Sequence, residues 1–572
     1  MKKIDIKVVL LHFCSLALIL SSCSDFKDYN SEPSCSSATG SLSIWENISG
    51  DGSLSDFAAV VKKAGFADEL DASHFYTVWA PVNGTFDASE LLSQDSTKVL
   101  KEFVKNHIAD YNYPLPTVED TTLVYMLNKK NYRFLKSGTF GGVTYSPELL
   151  AAQNGVVYRL DGRVPFLYNV YEYLDNADDC KSVASHLKKY ETSYLDEEAS
   201  VKGPIAEDGT QTWLDSVIVV ENDFVKYSLG ADVTNEDSSY TMLLPNDQAW
   251  DKKYAEIKKK FNYVSSLNWQ RLEDDTKKTA QAVDVKVEDW KRTLKVNASY
   301  YTDSLTRLVL VKDLFFSNKS PYNTMLTNEA AEGDTLYSTV RSKLTNTDSI
   351  LAATVRKVEM SNGLTRVVND LPFHPWESYN AEISTIEVAR SVDANVTQET
   401  ILRADLDPAV VTLDDELTQL RYVKAAPSGS IKRPEIDFYI NDVCSGAYNI
   451  YVVTLPACLE NPETTTRLPY CLRFDLNYAD ANGAVQNVNW GTIASPILVT
   501  EVDKADTIFV GTHEFPACYV GLNAAPNFKI SHALKDFMTA NRKKYEQTLR
   551  IANVIFRPVE LDEYEPFIKK DE

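Results

Sequence analysis

Seven histidines are spread over 572 residues: His12, His74, His107, His186, His374, His513 and His532. None makes a metal pair. There is no HExxH, and no two histidines stand four apart, the spacing that aims two imidazoles at one ion from a helix. A GxSxG nucleophile elbow, a phosphate-cradling P-loop and a dinucleotide glycine run are also missing. The 81 Asp and Glu offer many carboxylate pairs of the kind that hydrolyse glycosidic bonds, yet spacing marks none of them out. No catalytic residue, metal ligand or cofactor is therefore expected. The chain reads as a binding protein, with a glycan-degrading enzyme as the alternative.

Two local groups still carry possible chemistry. Asn106 and His107 close an apolar-periodic stretch from Ser96 to Ala109, with Val99, Leu100, Phe103, Val104 and Ile108 on one helical face. They are the candidate binding residues. The competing reading is a packed imidazole bonded to a strand backbone. The run Asp475 to Gly483 offers several hard oxygens for calcium. It lacks EF-hand spacing and equally reads as a polar strand entering an Asn-Gly turn.

Eight cysteines are present, and none forms CxxC. Cys444, Cys458, Cys471 and Cys518 cluster near the C-terminus and read either as two disulfides, with three pairings open, or as small buried thiols.

The N-terminus is basic at Met1-Lys2-Lys3, apolar from Val8 to Leu20, and ends Ser21-Ser22-Cys23. This run of thirteen residues is too short to span a bilayer, which takes about 20. The pattern is a secretory signal, and Leu20-Ser21-Ser22-Cys23 resembles a bacterial lipobox. That resemblance implies a lipidated Cys23 as the first mature residue, with the membrane as a partner through its acyl chains. Ser24-Asp25-Phe26-Lys27-Asp28 resembles the acidic export signals of surface lipoproteins in Bacteroidetes. The formal net charge of −23 repels phosphate backbones, so nucleic acid is excluded as a partner.

The elements that must position any site follow. Residues 1–22 are a signal peptide and 23–42 a polar tether. A helical pattern runs from Leu54 to Gly65, and Tyr76 to Pro81 reads as a strand. Short strands follow around Thr122 to Leu127, Arg133 to Leu135, Val143 to Tyr145 and Val156 to Leu160. The segment from Tyr76 to Asp87 recurs at Tyr240 to Asp251 (240 − 76 = 164). Asn154-Gly155 recurs at Asn362-Gly363 (362 − 154 = 208), so the second copy carries an insertion, placed in a Lys/Asp-rich helical stretch from Lys252 to about Ser299.

Tyr76-Thr77-Val78-Trp79-Ala80-Pro81-Val82-Asn83-Gly84-Thr85-Phe86, then Phe103 to Ile108, then Asn154 to Asp161, resemble three ordered motifs of the fasciclin-like (FAS1) domain. Val82 and Thr85 depart from the family's usual threonine and alanine. The resemblance implies an α+β fold of β-sandwich wedges with flanking helices, and links the Asn106-His107 neighbourhood to cell adhesion. A degenerate second copy places Val311-Lys312-Asp313-Leu314-Phe315 opposite Val104 to Ile108, so Leu314 replaces the histidine.

The expected domains are 43–174 and 175–388, both FAS1-like, then a C-terminal antiparallel β-sandwich, 389–572, that is jelly-roll-like. In that last part a helix is expected from Ile530 to about Ala540. The expected function is a lipid-anchored, outer-membrane, surface-exposed protein of adhesion or binding. Its partner would be a glycan or an envelope protein, as in an accessory subunit of a nutrient-import complex.

Overall fold

The computed structural model describes residues 40–115, 119–198, 200–206, 208–216, 218–270, 291–328, 330–413, 417–534 and 539–568. The signal peptide, Cys23 and nearly all of the tether lie outside the described residues. The chain forms two compact units, Met1–Leu167 and Tyr168–Glu572. The second repeat and the C-terminal sandwich thus cluster together.

In the first unit, helices α1 (Ile44–Gly50) and α2 (Ser55–Lys63) open the fold. Ser43 caps α1 in a reciprocal box with Glu46, satisfying two backbone N–H groups the helix leaves open. Strand β1 (Tyr76–Pro81) is buried along its whole length. The helix expected from Ser96 begins as α3 (Ser96–Val99), capped by Asp95, then widens to a π turn over Leu100–Val104 and tightens to a 3-10 turn over Lys105–His107. Ile108 and Ala109 are not helical. They form β2 (Ile108–Ala109), because sheet pairing with Val78 and Thr77 captures them.

A meander follows: β3 (Thr121–Tyr125), β4 (Asn131–Leu135), β5 (Thr139–Phe140) and β6 (Val143–Thr144). Strands β7 (Leu150–Ala152) and β8 (Gly155–Leu160) then complete a sheet of order β2-β1-β8-β7. β1 and β8 run parallel, with Tyr76 opposite Gly155 and Trp79 opposite Tyr158. One side of this sheet packs on the helices through Phe57, Val60, Val61 and Val157. The other side is aromatic: Trp79 stacks on Phe140 at 4.0 Å, with Phe134 and Tyr158 beside it. Burial of each such ring contributes about 1.5–3 kcal/mol.

The second unit repeats the sheet. Strands β9 (Tyr240–Pro245), β10 (Phe315–Ser317), β11 (Thr354–Met360) and β12 (Gly363–Val368) take the order β10-β9-β12-β11. Tyr240 stands opposite Gly363 and Met242 opposite Phe315. The register puts Phe315 where the first repeat has Ile108, and Leu314 where it has His107, as expected. In the insertion the structure differs from the expected helical run. A helix over Asp247–Lys258 is followed by a hairpin of Ser266–Gln270 with Lys291–Lys295, and residues 271–290 lie outside the described residues.

The C-terminal part is a two-sheet antiparallel sandwich. Its strands are β13 (Ile383–Thr385), β14 (Val388–Val392), β15 (Ala394–Leu402), β16 (Gln419–Pro427), β17 (Glu435–Tyr439), β18 (Gly446–Thr454), β19 (Tyr470–Ala479), β20 (Val485–Trp490), β21 (Ile497–Val499), β22 (Asp506–Phe515), β23 (Asn527–His532) and β24 (Leu549–Pro558). One sheet has the order β15-β16-β24-β18-β22, with β13 beside β24. The other has the order β14-β17-β23-β19-β20, with β21 beside β19. The helix expected from Ile530 is corrected: Phe528 and Ile530 alternate with Lys529 and Ser531 as the central strand β23. Phe438, Phe474, Leu476, Phe528, Ile530 and Phe556 fill the space between the sheets.

Candidate functional site

Asn106 and His107 are both wholly buried. The His107 Nδ1–H donates to the Phe103 carbonyl (2.7 Å), and Nε2 accepts the Val164 N–H (3.0 Å). Burial holds its pKa down, to about 4. Asn106 donates to the Val164 carbonyl (3.2 Å) and accepts from Asn128 and the Tyr132 hydroxyl, each at 2.8 Å. Both side chains thus bond to Val164, and their other polar atoms are taken up by Phe103, Asn128 and Tyr132. Neither side chain reaches solvent, so any effect on a partner passes through the backbone they hold.

A polar array lies on the outer face of the sandwich's second sheet. Strand alternation sends Ile436, Phe438, Phe474, Leu476, Phe528 and Ile530 inward, and the residues between them outward. Three rows result. Tyr439, Asn527, Asn477 and Asn487 form one, Asp437, Lys529, Asp475 and Asn489 the next, and Glu435, Ser531 and Arg473 the third.

The three acids of these rows, Asp437, Asp475 and Glu435, are met by Lys529 and Arg473 and by Arg390 of the neighbouring strand β14. Arg473 is 2.5 Å from Asp475, Lys529 is 3.8 Å from Glu435 and 3.9 Å from Asp475, and Arg390 is 4.0 Å from Asp437. Asp437 and Asp475 are only 4% and 3% exposed under these long side chains. Burial pushes the Asp437 carboxyl up, to about 6; Arg390 and Lys529 pull it down, and Glu435 and Asp475 add to the rise.

The amide row is less spent. Asn487 Nδ2 donates to Asn477 Oδ1 (3.0 Å), while the carboxamides of Asn489 and Asn527 bond to no other side chain or backbone group among the described residues. Asn487 and Asn489 are exposed. Donors and acceptors therefore project outward from a rigid sheet at strand spacing, a surface suited to hydroxyl-rich ligands. Sequence reasoning missed this array. Its signal was alternation itself: polar residues at every second position of three strands, unreadable as one surface until the strand order is known.

The calcium candidate is a turn. Asp480 accepts the N–H groups of Asn482 and Ala484 and the side chain of Gln486, and these bonds hold its pKa down. Among the described residues no group of three His, Cys, Asp or Glu has metal-holding geometry. Cys180, Cys444, Cys458, Cys471 and Cys518 are buried free thiols, the second of the two readings given above. Cys444 and Cys518 are neighbours: the Tyr519 N–H donates to the Val443 carbonyl, and the hydrogen bond to Cys518, with burial, holds the Cys444 thiol well up. Among the described residues no helix is long and apolar enough to cross a membrane.

Comparison with known families gives one match, to the fasciclin domain, over residues 52–163. Residues 52–163 are a fasciclin domain. The match spans β1, the His107 turn and β8. No curated protein matches the chain.

Among solved structures, the chain is similar to a FAS1 domain pair from the insect cell adhesion molecule Fasciclin I, at 12% identity, covering 57% of this chain and 99% of that one, with a TM-score of 0.19. It is also similar to a family 35 carbohydrate binding module from Clostridium thermocellum, at 14% identity over 30% of this chain and 98% of that one, with a TM-score of 0.15. A third is a GH26-CBM35 β-(1,4)-mannanase from Podospora anserina, at 18% identity over 31% of this chain and 27% of that one, with a TM-score of 0.16.

Proposed function

We propose that this chain is a lipid-anchored, surface-exposed binding protein. Its fasciclin repeats serve adhesion or spacing, and its C-terminal sandwich holds a glycan on the outer face of the second sheet. One observation carries the ligand class: the carboxamides of Asn477, Asn487 and Asn527 in one row and Asn489 in the next, with unspent donors and acceptors beside the Tyr439 ring. Sugar hydroxyls donate and accept at once, which a carboxamide matches with its paired NH₂ and carbonyl. An aromatic ring adds a face for stacking. Anchoring rests on the Cys23 motif and is tested by mass spectrometry of native material for an acylated Cys23 terminus.

A second reading, a glycan-degrading enzyme, is favoured by the Asp437 carboxyl near neutrality on the same face as Asp475. One screen separates the two. The ectodomain is incubated with a polysaccharide panel, and both retention and new reducing ends are followed. Retention without turnover, weakened at least tenfold by Asn487→Ala with Asn489→Ala, supports binding. New reducing ends abolished by Asp437→Asn support catalysis. No retention on any glycan removes the glycan reading.

A further inference from the structure

The second repeat places a charged residue at a position where the first has a core aromatic. The shared register puts Arg366 of β12 opposite Leu243, where the first repeat has Tyr158 opposite Trp79. Tyr158 and Trp79 belong to a packed aromatic core together with Phe134, Phe140 and Tyr145. In the second repeat Leu243, Leu364, Arg366 and Val368 on this side of the sheet are buried too, but the side borders a cleft at its edge strand β11. A cleft of about 480 Å³ is lined there by Arg366, Arg356 and Lys357 and by the apolar side chains of Met325, Leu351 and Val355.

Arg366 is 3% exposed and has no carboxylate partner among the described residues. Its Nε and Nη2 donate to the Leu326 carbonyl at 2.8 and 2.5 Å, and Nη1 makes a long contact of 3.4 Å to the Thr354 hydroxyl. A guanidinium has five N–H groups, so two are left over, one on Nη1 and one on Nη2, as donors to a carboxylate. Burying a charge with no counter-charge is strongly unfavourable, and the first repeat fills the matching position with the neutral ring of Tyr158. Arg356, the other guanidinium of the lining, is by contrast paired with Asp179 at 2.8 Å. A local rule broken inside an otherwise consistent fold marks a functional position.

We propose that this cleft binds a carboxylate-bearing small molecule, its carboxylate on the Arg366 guanidinium and its carbon body against Met325, Leu351 and Val355. The volume suits a body the size of a sugar acid or a short fatty acid. Both sources present the same carboxylate and differ in what meets the apolar wall. The site is separate from the sandwich face and does not depend on the reading given for it.

The test is calorimetric titration of the full ectodomain with glucuronate, hexanoate and glucose. Saturable binding of glucuronate, hexanoate or both, with none of glucose, is expected. Glucuronate alone identifies a sugar acid, and hexanoate alone an aliphatic one. Arg366→Met should weaken the bound carboxylate at least tenfold. Since that variant changes a buried strand position, Val355→Trp provides a second route: Val355 lines the cleft and is 54% exposed, so a larger side chain there takes up cleft volume while Arg366 is kept. It should also weaken binding at least tenfold. Failure of both carboxylates to bind overturns the proposal. So does equal binding of glucose and glucuronate, or wild-type affinity in Val355→Trp.

Discussion

Asn154 and Asn362 make the same three side-chain hydrogen bonds in two repeats. The Asn154 Oδ1 accepts the Ile44 N–H (2.8 Å), and its NH₂ donates to the carbonyls of Leu70 and Ala72 (3.0 and 2.6 Å). The Asn362 Oδ1 accepts the Val170 N–H (2.9 Å), and its NH₂ donates to the carbonyls of Val233 and Asn235 (2.9 and 3.0 Å). In each case the asparagine carbonyl also accepts the first N–H of the facing strand, Tyr76 or Tyr240, at 3.1 Å. One buried carboxamide thus fastens the segment that opens its repeat to the loop that precedes the parallel strand pair.

Asn362→Ala leaves a buried N–H and two carbonyls without partners. It should lower stability by about 3 kcal/mol. Asn362→Asp should be no better, because a carboxylate then faces two carbonyl oxygens. Urea unfolding at neutral pH measures both. A wild-type midpoint for either variant would show that the repeats are fastened elsewhere.

Each asparagine is followed by a glycine for a steric reason. Gly155 has φ +142° and Gly363 φ +149°, and a Cβ on either would sit 1.9 Å from the carbonyl oxygen of Tyr76 or Tyr240. Gly155→Ala and Gly363→Ala should therefore each destabilise the chain by more than about 3 kcal/mol, with the parallel pair forced apart. Thermal unfolding of the two variants checks this. A loss within about 0.5 kcal/mol would contradict the tight register.

This pair shows what was legible in the sequence. Asn-Gly downstream of an aromatic strand is a local signal, readable in both copies although the interval is 154 − 76 = 78 residues in one and 362 − 240 = 122 in the other. It marked the start of the second strand of each pair but not that the pair is parallel. Leu314 in place of His107 was equally readable, since it needs only an alignment of repeats. The outward rows of the sandwich were not. Whether Lys529 lies between Asp437 and Asp475 depends on β23 entering between β17 and β19, a long-range choice that no window contains. The same choice turned Ile530–His532 from an expected helix into a central strand. The cleft was hidden for another reason: Arg366 is unremarkable as a residue and unusual only against the register that sets it opposite Leu243.

Acid should weaken the fold through its buried imidazoles. His107 is held neutral, with its folded pKa near 4 against an ordinary value of 6.5. The unfolded chain takes up the proton first, so this contribution is fully present above about pH 6.5 and is lost as pH falls toward 4, amounting to roughly 3 kcal/mol. Burial also lowers His186, His513 and His532 to about 4. Stability should thus fall between neutral pH and about 5. His107→Gln should reduce the slope by about 1.4 kcal/mol per pH unit. An identical slope in wild type and variant would mean that the imidazole is protonated in the fold.

Asp437 should act in the opposite sense over an overlapping range. Its folded pKa is pushed up to about 6 from 3.8, chiefly by burial beneath its neighbours on the sheet face. The ionised form is therefore the costly one in the folded state. The penalty is full above about pH 6 and is relieved as pH falls toward 4, a rise in stability set against the histidine loss. Asp437→Asn removes the penalty. At pH 7 the variant should be more stable than wild type by roughly 2 kcal/mol, and the gap should close by about pH 4. Paired unfolding curves at the two pH values measure it. A variant less stable than wild type at pH 7 would show that Arg390 and Lys529 need this charge more than burial opposes it. The same variant then weighs on function: a carboxyl kept ionised by its neighbours is a structural counter-ion, whereas one poised near pH 6 can exchange a proton with a bound ligand.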